Sequence, residues 1–306
     1  MAKEISTGKS RPTVAVVIPT YKRKSKLERA VNSVCNQSYS DWRLYVVNDA
    51  PSHDVSDILP DDDRITYIQH KENQGAPAAR NTGIKKSQSR FIAFLDDDDE
   101  WKHEKLERQI DTFKNLAPDY GLVYTGHTII NEKSVKIYDP DVAGEIFHEL
   151  LHSNIIPSPT PLIKRECFRN VGNFDTHFPS SQDIDMWLRI AREYKIGVVP
   201  DSLAISYKGH EDRITENMMR KINGKKKLIN KYENNLKSRP EAMAIHLKQL
   251  GVFTMYLYRS QEARNYFVES LNYNKWQIII YVYILITILP ATFQSTLVER
   301  HRTLAS

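Results

Sequence analysis

Cysteine is scarce: the 306 residues contain Cys35 and Cys167 and no other thiol. Two thiols do not make a disulfide framework, and they fit a reducing compartment. The apolar stretch of a secretory leader is also missing, since the amino terminus reads MAKEISTGKSRP and is polar throughout. These two absences together predict a cytoplasmic protein. Long hydrophobic runs are lacking too. The longest lies in WQIIIYVYILITILPATF, Trp276–Phe293, and its unbroken core of about a dozen residues falls short of the roughly 20 that a spanning helix needs. No zinc-ligand spacing, recognition-helix signature or RNA-binding aromatic signature is found, which argues against nucleic acid as a partner.

What is present is enough for a core: 41% hydrophobic and 26% charged residues. The net charge of +5 is unevenly spread. From Thr215 onward there are 14 Lys and Arg against 6 Asp and Glu, leaving 29 against 32 in the first 214 residues. The basic character therefore belongs to the tail, where an anionic membrane surface is a natural partner.

TVAVVIPTY (Thr13–Tyr21) is a β-branched run without helical period and predicts a buried strand. WRLYVVND, ITYIQH, RFIAFLD and YGLVYTGHTII predict further strands, with helical segments such as KSKLERAVNSVCNQ between them. That alternation predicts an α/β fold around a parallel sheet covered on both faces, with ligands at the carboxyl ends of its strands. PTY, ND and DDDD each end a strand. The prolines 157, 159 and 161 predict a shaped loop. KIGVVPDSLAISYKGHEDRIT predicts one or two short closing strands, and the remainder is helical, including a hairpin of tetratricopeptide kind in HLKQLGVFTMYLYRSQEARNYFVESLNYNKW.

In FIAFLDDDDEW four carboxylates follow one another at a strand end. One is explained if the segment EWKHEKLERQI opens a helix there and an aspartate caps it. Four are better explained by a hard divalent cation such as Mg²⁺ or Mn²⁺, which takes oxygen ligands. In SQDIDMW, Asp183 and Asp185 stand at the front of an amphipathic helix, and spacing does not distinguish a cap from a general base. Arg80 in AARN is either a phosphate clamp or a surface arginine. His210 stands alone.

The ordered set PTY, ND, GAPAARNTGI, FLDDDDEW and QDIDMWLR resembles the family 2 glycosyltransferases of GT-A fold, over about residues 14–215. The resemblance implies a GT-A, Rossmann-like, mostly parallel sheet flanked by helices in residues 13–214. A polar extension (1–12) precedes it, and a basic helical region (215–306) with the apolar segment 276–293 follows. It implies an inverting, metal-dependent transfer of sugar from a nucleotide-diphosphate donor, with uridine favoured. The acceptor it implies is a hydroxyl of a glycan or lipid-linked molecule in surface polysaccharide or glycoconjugate synthesis, and the location it implies is cytoplasmic, at the inner face of the cell membrane. By position, Pro19, Thr20 and Tyr21 meet the nucleoside and Asp49 reads the base. Arg80 lies near the diphosphate, Asp96 near the ribose, and Asp97 is an alternative register. Asp98 and His210 hold Mn²⁺ or Mg²⁺, and Asp183 is the catalytic base. Two departures from the family pattern are NDAP after the second strand, where two acids and Gly-Ser are common, and Gln182 in place of a glutamate.

The rivals are a sugar-phosphate nucleotidyltransferase, a non-catalytic nucleotide-sugar binder and a lipid-binding scaffold. PTYKRKSK has no glycine, unlike the glycine-rich loop of the first, and the scaffold leaves the carboxylates unexplained.

Overall fold

The computed structural model describes residues 13–208 and 214–305; His210 lies outside them. In chain order the elements are β1 (Val14–Thr20), α1 (Lys24–Cys35), β2 (Trp42–Asn48), β3 (Ile65–Gln69), α2 (Ala76–Lys86), β4 (Phe91–Phe94) and β5 (Asp99–Trp101). They continue with α3 (Lys105–Asn115), β6 (Tyr120–Asn131), β7 (Val135–Tyr138), α4 (Phe147–His152), β8 (Leu162–Lys164), α5 (Arg165–Val171), α6 (Gln182–Glu193) and β9 (Lys195–Lys208). The helices α7 (Ile214–Lys231), α8 (Glu233–Lys237), α9 (Pro240–Met255), α10 (Ser260–Tyr273), α11 (Ile278–Ile286) and α12 (Ala291–Ala305) complete it. The chain forms two compact units, one drawn from Met1–Ile146, Ile156–Phe174 and Arg189–Gly209, the other from Phe147–Ile155, Asp175–Leu188 and His210–Ser306.

The first unit is an α/β sheet in the order β3-β2-β1-β4-β8-β6-β9-β5, with β7 paired to β6. Strands β3, β2, β1 and β4 run parallel, so their carboxyl ends share one edge. Every residue of β1 is buried, as a strand covered on both faces requires. Val14, Val16 and Ile18 join Leu27, Val31, Leu106 and Ile110 in one apolar cluster. Val17, pointing the other way, meets α2 at Gly83, where a Cβ would come within 2.4 Å of the valine methyl. Pleat alternation thus seats helices on opposite faces.

Two elements depart from expectation. The sequence predicts a helix directly after the aspartates, but Asp99–Trp101 forms β5, antiparallel to β9 through Asp99↔Ser206 and Trp101↔Ala204. Helix α3 starts only at Lys105, so none of the four aspartates caps it. The reason is Trp101: its ring is buried and its indole N–H donates to the Pro159 carbonyl at 2.8 Å, a combination of apolar burial and satisfied donor that outweighs a cap. The closing segment is also one strand of 14 residues rather than short pieces. It pairs parallel with β6, with register shifts on either side of Gly126. A Cβ at Gly126 would lie 2.7 Å from the Tyr138 carbonyl and 2.8 Å from the backbone of Ser202, so the close approach needs glycine.

In the second unit α9 and α10 form the expected hairpin. A Cβ on Gly251 would stand 2.3 Å from the fully buried Phe267 ring. Met218, Ile222, Leu250, Met255, Ile280 and Val298 share this core. Among the described residues no helix is long and apolar enough to cross a membrane.

Candidate active site

The edge where β1, β2 and β4 end gathers most of the residues singled out in the sequence. The β1–β4 register pairs Val17 with Phe94, and Leu95 N–H donates to the Val17 carbonyl, so the chain beyond β4 runs alongside the end of β1. Asp97 there is buried; its carboxylate accepts from the Thr20 hydroxyl at 2.8 Å and the Tyr21 N–H at 3.4 Å, and pairs with Arg23 at 3.3 Å. Asp98 is more open and is held by Arg23 at 2.7 Å. Asp96 accepts from Arg80 at 2.5 Å. Arg80 is itself buried, reaches Ser158 of the proline loop at 3.4 Å, and leaves Nε and Nη1 without an acceptor. Asp99 is buried on β5.

Crowding of these acids has an electrostatic consequence. Burial pushes the Asp97 carboxyl up to about 6, opposed by the Thr20 hydrogen bond. Burial and the neighbouring Asp96 charge push Asp99 up to about 8. The two open carboxylates, Asp96 and Asp98, are each neutralised by one arginine.

Asp49, at the end of β2, is buried, and its oxygens are occupied: Gln74 N–H, Gly75 N–H and His70 Nδ1–H donate to it at 2.9, 2.7 and 2.8 Å. It fastens the turn that leads into α2. Asn48 is equally enclosed, donating to Tyr67 and to the His53 carbonyl while accepting from Ala50 N–H. The proline loop is irregular as expected, with Thr160 folded back on the Pro157 carbonyl.

In the second unit both aspartates of SQDIDMW lie in the first turn of α6, where the helix dipole favours them. Their surroundings differ. Asp185 is fully buried, paired with Lys231 at 2.6 Å and accepting from the Tyr232 hydroxyl at 3.0 Å. Asp183 is half-buried and accepts from Asn154 Nδ2 at 3.0 Å. The residue before this helix turn, Ser181, has φ 65°, and Lys22 beside Tyr21 has φ 57°. Left-handed backbone at a non-glycine residue costs roughly 1 kcal/mol or more and tends to collect at functional loops.

The family model for glycosyl transferase family 2 matches residues 15–178, more than half of the chain. The chain belongs to that family. It is a glycosyltransferase, and its α/β sheet is of GT-A type. TuaG of Bacillus subtilis (strain 168), a glycosyltransferase named for teichuronic acid biosynthesis, is 30% identical over 190 residues, covering 60% of this chain and 73% of TuaG. WfgD of Escherichia coli, named as a UDP-Glc:α-D-GlcNAc-diphosphoundecaprenol β-1,3-glucosyltransferase, is 28% identical over 214 residues, 68% of this chain and 82% of WfgD. The matched part of a longer Rickettsia bellii glycosyltransferase is 29% of its length. A mannosyltransferase of Pyrobaculum calidifontis, solved with GDP-Man and Mn²⁺, shares the fold at TM-score 0.55 and 16% identity, covering 92% of this chain and 87% of that one.

Several groups in this glycosyltransferase were not singled out in the sequence. Arg23 and Arg29 were visible as the basic segment after β1, and Arg29 Nη2 donates to the Asp98 carbonyl at 2.7 Å. Lys225 and His246, in α7 and α9, gave no local signal. Lys225 is half-buried; its ammonium sits 3.1 Å from His246 Nδ1 and feels the Asp183 charge. Burial brings its pKa down to about 8, with Asp183 opposing the shift. His246 Nε2 lies 2.7 Å from the Leu151 carbonyl. A carbonyl only accepts, so Nε2 carries the proton and Nδ1 receives the lysine.

Burial, then Lys225 and His152, hold the His246 pKa down at about 4, against the pull of the Leu151 carbonyl. The unfolded chain therefore takes up a proton near pH 6.5 while the folded one does not, and stability falls as pH drops from about 6.5 to about 4. For this one group the loss is about 3 kcal/mol. Unfolding free energies of wild type and His246→Gln, compared across that window, are expected to converge at low pH. Parallel curves would remove the imidazole from the account.

Proposed function

We propose that this chain transfers a sugar, with inversion, from a nucleotide-diphosphate donor, uridine-linked, to a hydroxyl of a lipid-linked or growing glycan in surface polysaccharide synthesis. The observation that carries it is the interleaving of carboxylates and arginines where the parallel strands end: Asp96 with Arg80, and Asp97 and Asp98 with Arg23. Planar guanidiniums match phosphate oxygens, and Arg80 has buried N–H groups without an acceptor. The names of TuaG and WfgD support the polysaccharide and lipid-linked setting.

In this reading Pro19, Thr20 and Tyr21 border the nucleoside, and Asp49 contributes through its hold on Gln74 and Gly75. Arg80 and Arg23 face the diphosphate. The donor set suits a hard divalent cation: Asp96 and Asp98 are carboxylates about a third exposed, at 31% and 28%, and Mg²⁺ typically takes one or two carboxylates with phosphates and water. Among the described residues no group of three or more His, Cys, Asp or Glu converges as a cage. Mn²⁺ or Mg²⁺ held at Asp98 would stabilise the charge of the departing diphosphate; His210 is a further candidate ligand. Asp183 takes the proton of the acceptor hydroxyl as that oxygen attacks. Asp185 is sealed by Lys231 and Tyr232 and serves the fold.

Thermal unfolding with a panel of nucleotide sugars, with Mn²⁺ and with chelator, tests the donor. A UDP-sugar is expected to raise the midpoint in a metal-dependent way, because a ligand that binds only the folded state stabilises it. A chain indifferent to every nucleotide sugar would overturn the reading.

A further inference from the structure

Helices α11 and α12 leave an apolar face uncovered. Ile278 and Leu285 are 78% and 63% exposed, and Tyr281, Val282, Ile288 and Leu289 stand out beside them. The spacing follows the helical period, so they form one stripe. The opposite side of α11 is firmly seated: Ile280 and Tyr283 are buried in the second unit's core, the Tyr283 ring packs 5.4 Å from Phe267, and Arg264 donates to the Thr287 carbonyl at 2.8 Å. Phe293 and Leu297 extend the outward face along α12, while Gln294 and Val298 turn inward. A contiguous exposed apolar surface of this kind marks an interaction site.

We propose that this face rests in the interface of an anionic lipid bilayer, with α11 and α12 lying along the surface. Length excludes crossing. Nine residues of α11 span about 14 Å, less than half the hydrocarbon thickness, and Pro290 separates the two helices. Charge selects the occupant. Residues 270–298 contain no Asp or Glu; Lys275 is exposed at one end of the face, and at the other the exposed Glu299, which accepts from the Tyr258 hydroxyl, is followed by Arg300. The face also adjoins an open cleft of about 1120 Å³ lined by Lys275, Trp276, Arg239, His148 and His152, with Glu241 the one acid among its lining residues. This setting receives phosphate headgroups beside a buried acyl boundary, and Trp276, 79% exposed, has the amphipathic ring favoured at that level.

The docking goes beyond the transfer reaction and is measured without nucleotide sugar, so its failure leaves the donor chemistry standing. Co-sedimentation of the full chain with vesicles of phosphatidylglycerol and phosphatidylcholine in equal parts is expected, with little on phosphatidylcholine alone. Ile278→Asp with Leu285→Asp is expected to weaken binding about a hundredfold, and Lys275→Gln with Arg300→Gln about tenfold, with high salt acting like the latter. All four side chains are exposed, and an unchanged melting midpoint verifies folding. No sedimentation with anionic vesicles would overturn the proposal. So would a concentration-dependent dimer, abolished by the aspartate pair, in a chain that ignores vesicles.

Discussion

Replacing Asp183 by asparagine is expected to lower sugar transfer by about 10²–10⁴-fold, the usual range for a lost general base, while donor affinity stays close to wild type. Asparagine keeps the shape of the side chain and its place in the first turn of α6. It also keeps an oxygen for Asn154 Nδ2, which lies 3.0 Å from the carboxylate. What it lacks is the basic lone pair and the charge facing the half-buried Lys225. Transfer to acceptor and nucleotide binding are measured separately, so a misfolded protein, which loses both, is told apart from one without its base. Asp185→Asn is the contrasting variant: it removes the charge opposite Lys231 at a fully buried position, and its effect is expected in the melting midpoint. An Asp183→Asn enzyme with undiminished turnover would remove Asp183 from the mechanism.

Asp98→Ala is expected to abolish the difference between donor binding with Mn²⁺ and binding with chelator, with affinity in Mn²⁺ falling about tenfold or more. Of the four aspartates this one is the most open to a cation together with Asp96. Asp97 is occupied by Thr20, Tyr21 and Arg23, and Asp99 is enclosed on β5. Loss of the Asp98 side chain removes one partner from Arg23, which is 42% exposed and keeps its pairing with Asp97, so the fold is expected to survive. Calorimetric titration of the nucleotide in both conditions reads the effect. Full metal dependence in the variant would move the cation elsewhere in the run.

The parts of the fold visible in the sequence are those whose cause is local. Strands β1 and β2 are continuous apolar runs because both their faces are covered, and such runs are recognisable without knowing what covers them. The α9–α10 hairpin was likewise readable, from its apolar spacing. The start of α3 was not. Nothing near Glu100 announces that Trp101 will be drawn into the core and that Asp99–Trp101 will pair with residues 204–206, about a hundred positions away.

The candidate site divides in the same way. The sequence alone determined which carboxylates stand at strand ends, because parallel strands collect their ends at one edge whatever the side chains then do; that Arg80 of α2 reaches Asp96 there was a tertiary outcome. It also determined that the tail is basic and that its apolar run is too short to span a bilayer, since both follow from composition and length. Tertiary structure decided the environment of each acid: Asp97 and Asp99 buried, Asp96 and Asp98 partly open, Asp185 sealed by Lys231 and Tyr232, and Asp183 beside Asn154 and the Lys225–His246 pair. The reason is physical. The state of a carboxylate depends on desolvation and on charges brought from distant parts of the chain, and neither quantity is a property of its neighbours in sequence.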